Sequence, residues 1–78
     1  MVTKQETRVK ARAWAGGFPV GTQVTYWPWG EVEIVECQWR DGWPCLHCKL
    51  VMPSFGYEHL KDQIIYVLYS YRHNLKVR

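Results

Sequence analysis

The sequence lacks the features that define several large classes of protein. No apolar run approaches the roughly 20 residues of a membrane-spanning helix. The basic start, MVTKQETRVKARAW, is not followed by the apolar stretch of a secretory signal peptide. The three cysteines of a chain without such a signal are typical of a reducing compartment. We therefore expect a cytoplasmic protein without a membrane partner.

Common catalytic motifs are missing as well. Neither Ser54 nor Ser70 lies in the G-x-S-x-G motif that presents a nucleophilic serine. The pair Gly16-Gly17 is not followed by the G-K-[ST] of a phosphate-binding loop. No histidine has a carboxylate at a spacing typical of acid–base catalysis. We therefore predict a protein that is not an enzyme and needs no cofactor.

Aromatic side chains are abundant instead, with five Trp and five Tyr among 78 residues. A hydrophobic fraction of 47% is typical of a globular protein, and this length allows one small domain. The core of such a domain is near the lower limit for folding unaided. Aromatic residues therefore supply much of the buried area, but not all of them can fit inside.

The net charge of +3 is unevenly distributed. Residues 1–12 and 61–78 each carry four basic residues and one acidic residue, whereas residues 13–60 carry two basic and five acidic residues. Basic ends are either solvated termini or contacts for nucleic acid or an acidic protein surface. The breaker AGGFPVG separates a basic leader, residues 1–17, from a folded part, residues 18–70, which a basic tail, residues 71–78, follows.

From residue 20 onward the pattern indicates β-structure. VGTQVTYW alternates, PWG ends it, and two β-rich segments flank Asp41-Gly42, a strong hairpin signal. The segment IIYVLYSY (64–71) favours a strand, but its apolar residues also fall at helical spacing, so strand or helix stays open for residues 64–76. We predict an all-β fold: a small barrel of about five antiparallel strands, with a short 3₁₀ turn near residues 57–62.

Pairing across the two-residue turn predicts the hairpin register. Arg40 lies opposite Trp43 and Val35 opposite Cys48, which separates an apolar face from a polar one. Residues before Val35 then fall on the wrong face, so the sequence requires a β-bulge near Ile34. The predicted core face of the hairpin comprises Val35, Cys37, Trp39, Pro44, Leu46, Cys48, Leu50 and Met52.

The segment WPCLHCK (43–49) contains a C-x-x-C motif, which binds zinc or forms a redox pair when both sulfurs point the same way. In a strand, Cys45 and Cys48 lie on opposite faces because their separation is odd. We therefore interpret the motif as part of a strand, with Cys45 reactive and Cys37 and Cys48 protected. The alternatives are a redox pair or a metal site drawn from Cys37, Cys45, His47 and Cys48.

The remaining functional signal is aromatic. An exposed Trp beside Pro is costly unless it covers the core or meets a partner. We predict a non-catalytic module that binds a protein partner through Tyr26, Trp27, Trp29, Trp43 and Tyr57; association between copies of the chain also stays open. The alternative is nucleic-acid binding, with Trp stacked on bases and phosphates on the basic ends. Those basic residues are Lys4, Arg8, Lys10, Arg12, Arg72, Lys76 and Arg78.

The order of these elements, with the G-T-x-V-x-Y-W-P stretch, resembles the small SH3-like barrels of bacteriophages and their hosts over about residues 18–67. This resemblance implies a phage or mobile-element accessory protein that engages a host or phage protein. A looser resemblance, carried by Gln63, Ile64 and Tyr66, is to type II dihydrofolate reductase. That family uses a Val-Gln-Ile-Tyr run in a tetramer pore, so this resemblance implies a tetramer that binds NADPH.

Overall fold

The computed structural model describes the backbone of residues 4–76 and the side chains of residues 6–76. Five antiparallel strands form one sheet in the order β4-β3-β2-β1-β5, curled into a half-barrel. This confirms the predicted fold class, a mostly β domain of five antiparallel strands with a short 3₁₀ turn near residues 57–62. In chain order the elements are α1 (Lys4–Gly16), β1 (Gln23–Tyr26), β2 (Gly30–Arg40), β3 (Trp43–Pro53), a 3₁₀ turn (Glu58–Leu60), β4 (Ile64–Leu68), a second 3₁₀ turn (Tyr69–Asn74) and β5 (Leu75–Lys76).

The β2–β3 hairpin has the predicted turn and nearly the predicted register. Asp41 and Gly42 both have positive φ, 53° and 81°, as a two-residue type I′ turn requires. Arg40 lies opposite Trp43 as predicted. The predicted bulge is confirmed as a register shift between Ile34 and Glu36, but it places Ile34 rather than Val35 opposite Cys48. This bulge turns Val32 and Ile34 into the core, and a second shift follows Glu31.

The core is shorter than the hairpin that supports it. Pro44, Leu46, Cys48 and Leu50 are buried as predicted. The prediction was wrong for Trp39 and Met52, which are 51% and 62% exposed, while Val35 and Cys37 are only half-buried. The molecule measures 40 × 22 × 21 Å. Met52 lies beyond the register shift that follows Glu31 and pairs with Glu31, which places it on the face away from Leu50.

An unpredicted helix closes the core. Residues interpreted as a basic leader form α1, whose buried side carries Ala11 and Ala15. Small side chains allow the helix to approach the sheet closely. The Trp14 ring packs at 5.6 Å from both Phe18 and Tyr69, measured between ring centroids. The segment before residue 18 is thus part of the packed structure.

The C-terminal segment is also part of the sheet. Residues 64–68 form a strand, as favoured by their β-branched and aromatic content, and only the following 3₁₀ turn is helical. In the predicted tail, Leu75 is buried and pairs with Tyr26, and Lys76 pairs with Thr25. The rest of that tail, residues 77–78, lies outside the described residues. None of the helices within residues 4–76 is long and apolar enough to cross a membrane.

Candidate binding surface

Two turns meet at the end of the hairpin that is remote from Asp41-Gly42. The turn after β1 is closed by the Trp29 N–H, which donates to the Tyr26 carbonyl at 2.8 Å. The Ser54 N–H donates in turn to the Trp29 carbonyl at 2.8 Å, which ties the loop after β3 to this turn. The Trp29 and Tyr57 rings therefore come together, with centroids 5.5 Å apart and planes inclined by 33°.

Beside this pair lie two aromatic side chains that solvent reaches freely. Trp27 is 64% exposed and precedes Pro28 through a cis peptide bond, and Phe55 is 97% exposed. We call Trp27, Trp29, Phe55 and Tyr57 the aromatic end. The sequence interpretation missed Phe55, although its position in PSFG, a turn-forming segment directly after a hairpin strand, is a signal that could have identified it.

Two of the predicted binding residues lie elsewhere. Tyr26 is buried in the core, where burial raises the pKa of its hydroxyl despite a hydrogen bond with Asn74. Trp43 lies at the opposite end of the hairpin, next to the Asp41-Gly42 turn. The guanidinium of Arg8 lies 5.6 Å from the Trp43 ring centroid, in cation–π geometry. The fold thus brings together only three of the five residues, Trp27, Trp29 and Tyr57.

Among the described residues, the basic residues of the nucleic-acid alternative are divided between α1, the second 3₁₀ turn and β5. The contact between Trp14 and Tyr69 places α1 and this turn side by side. Arg72 stacks on the Tyr69 ring at 4.1 Å, and its Nη1 donates to the Tyr69 carbonyl at 2.9 Å. Lys10, Arg12 and Lys76 are exposed, whereas the Lys4 side chain and Arg78 lie outside the described residues.

The cysteines occupy both faces of the sheet, as their spacing predicts. Cys48 is fully buried, and burial raises the pKa of its thiol to about 12. Burial also raises the pKa values of Cys37 and Cys45, so all three are thiols rather than reactive thiolates at neutral pH. Within the described part of the chain, no group of three His, Cys, Asp or Glu side chains is placed to hold a metal ion.

A thiol reagent should distinguish these cysteines. We expect Cys37 and Cys45, both half-buried, to react slowly in the native protein, at rates that rise with pH because the thiolate is the nucleophile. Cys48 should react only after unfolding. Mass spectrometry of the protein labelled with and without denaturant measures this, and Cys48 labelled under native conditions would contradict it.

The residues of the reductase resemblance lie at the free edge of the sheet. Ile64 and Tyr66 lie on β4 and face away from the core, and Gln63 precedes the strand. The Tyr66 ring packs edge-on against His47 at 4.7 Å, and His47 Nδ1 lies 3.6 Å from a Glu36 carboxylate oxygen. A single chain thus presents these residues on an open surface rather than inside a pore.

Comparison with known proteins assigns the chain to no group, because no protein family, no curated protein and no solved structure matches it. The SH3-like phage family and the type II reductase therefore stay resemblances.

Proposed function

We propose that this protein is a non-catalytic binding module that engages a protein partner through the aromatic end. The observation that carries the proposal is the exposure of Trp27 and Phe55 on adjacent turns beside the Trp29–Tyr57 pair. A role as a phage or mobile-element accessory protein follows only from the sequence resemblance and stays a prediction.

The chemistry of the surface favours an apolar protein partner. Residues 26–30 and 53–57, which form the two turns, contain no charged side chain. Trp and Tyr are the residue types most enriched among those that dominate protein binding energy. The backbone hydrogen bond from Ser54 to Trp29 holds the two turns together before binding, which reduces the entropy lost on association.

Substitution at the aromatic end should weaken binding of the partner. The partner is first isolated from a bacterial host lysate with the wild-type protein and purified, and its affinity is then measured by calorimetry. Trp27→Ala should weaken binding by about 2 kcal/mol, roughly thirtyfold, as is typical of a central Trp. Trp39→Ala is the matched control, because Trp39 is 51% exposed but lies near the other end of the hairpin. Equal losses in both variants would overturn the proposal.

The alternatives give different results in the same experiments. Binding of nucleic acid through phosphates weakens steeply as salt is added, whereas binding at an uncharged aromatic surface changes little. Loss of affinity in Lys10→Ala and Arg12→Ala, but not in Trp27→Ala, would favour nucleic acid. NADPH-dependent reduction of dihydrofolate by the purified protein would favour the reductase.

A further inference from the structure

Strand β4 is one edge of the sheet. Its hydrogen bonds to β3 use the backbone N–H and C=O groups of every second residue only. The Leu50 N–H donates to the Gln63 carbonyl at 3.0 Å. Because bonded and non-bonded pairs alternate in antiparallel strands, Ile65 and Val67 direct their backbone groups toward β3. The N–H and C=O groups of Ile64, Tyr66 and Leu68 point away from the sheet. Within residues 4–76, no other strand or turn pairs with this edge.

The same three residues also present their side chains to solvent. Tyr66 is 62% exposed, and Ile64 and Leu68 are each nearly half exposed. Solvated edges are normally protected by Lys, Pro or a bulge. Strand β4 has none of these, although β2 and β3 pair with two register shifts. The opposite edge, β5, is only two residues long and includes Lys76.

We propose that a second copy of this chain pairs with β4, antiparallel and centred on Tyr66, so that the two sheets become continuous. In this register Tyr66 faces Tyr66 of the other copy, and Ile64 faces Leu68. Every outward N–H and C=O of these residues then meets a partner, and the apolar side chains lie opposite one another on one face.

Strand β4 is complementary to itself, which favours a second copy of the chain as its partner. A two-fold interface requires a surface that matches itself, and this strand does so in one register. Centring the pair on Ile65 would place Leu68 opposite Asp62, whose N–H already donates to the Leu50 carbonyl at 2.7 Å. Centring it on Val67 would place Ile64 opposite Ser70, which lies in a 3₁₀ turn. The strand carries no charge, so the pairing opposes no like charges.

This interface is separate from the aromatic end, because β4 pairs with β3 from Cys45 to Lys49 and the aromatic end lies beyond Met52. The inference therefore stands or fails independently of the proposed function.

Sedimentation equilibrium of paired-charge variants tests the register. The wild-type protein should show a mass of twice 9.3 kDa that falls on dilution. In the double variant Ile64→Lys, Leu68→Lys, like charges face each other at both ends, and the dissociation constant should rise at least about tenfold. In the double variant Ile64→Lys, Leu68→Glu, opposite charges face each other, and dimerisation should be largely retained. Circular dichroism establishes that each variant is folded.

Cross-linking gives a second, independent measurement. Cα atoms in a bonded antiparallel pair are about 5.5 Å apart, within disulfide range. Tyr66→Cys should therefore form a disulfide dimer on mild oxidation, whereas the wild-type protein and Phe55→Cys should not. A wild-type mass of 9.3 kDa at every concentration, or equal masses for the two charge variants, would overturn the proposal.

Discussion

Replacing Gly30 with alanine is expected to prevent stable folding, at a cost of more than about 4 kcal/mol in the free energy of unfolding. Gly30 has a φ of +133°, which side chains with a Cβ rarely adopt. An added Cβ would also collide with the Met52 carbonyl oxygen and lie 2.7 Å from Ser54 N and 2.9 Å from Pro53 C. These are backbone atoms of β3 and of the residue that follows it, and they cannot move aside as a flexible side chain would.

Gly56→Ala is the matched control, because it introduces backbone strain at a positive φ without a steric collision. Gly56 also has positive φ, +93°, but open space surrounds the position of its Cβ. Its replacement should cost only about 1–2 kcal/mol, the backbone penalty alone. Urea denaturation followed by circular dichroism measures both variants. Equal losses would show that the close approach of β3 to Gly30 is absent in solution.

Replacing Leu46 with alanine is the second large effect, with an expected loss of about 2–5 kcal/mol in unfolding free energy. Leu46 is fully buried on β3, between Cys37 on β2 and Val67 on β4. Truncation removes the buried side chain and leaves a cavity that the flanking strands cannot close. Small domains have a total free energy of unfolding of only about 5–15 kcal/mol, so the variant should lose a large part of its stability.

Met52→Ala is the matched control for this change. Met52 lies on the same strand and has nearly the volume of leucine, but it is 62% exposed. Its truncation should therefore lie within about 0.5 kcal/mol of wild type, as for most surface substitutions. Thermal unfolding of the Leu46→Ala and Met52→Ala variants measures both losses. A larger loss for Met52→Ala than for Leu46→Ala would place the core at the other end of the hairpin.

Whether a side chain is exposed or buried depends on contacts between residues that are distant in the sequence. The sequence pattern therefore predicted the burial of some residues wrongly. Trp39 and Met52 follow the apolar alternation of the hairpin in the sequence, yet both are exposed. Met52 lies beyond a register shift that pairs it with Glu31, so it faces away from the core, and its sequence pattern alone does not show this shift. Helix α1 escaped prediction for a related reason. Its buried side carries mainly Ala11 and Ala15, which are weak hydrophobic signals among many charges.

The sequence by itself determined the local geometry. The Asp41-Gly42 turn, the pairing of Arg40 with Trp43, the bulge after Ile34 and the separation of Cys45 from Cys48 follow from turn chemistry and a side-chain period of two. These features depend on neighbours in the chain or across one hairpin. Only the tertiary structure decided which aromatic residues meet. The hydrogen bond between two separate turns brings Trp29 and Tyr57 together, while Trp43 lies a full strand length away. Within residues 4–76, the tertiary structure also left β4 at an edge of the sheet, since β5 pairs with β1 rather than with β4, the strand before it in the chain.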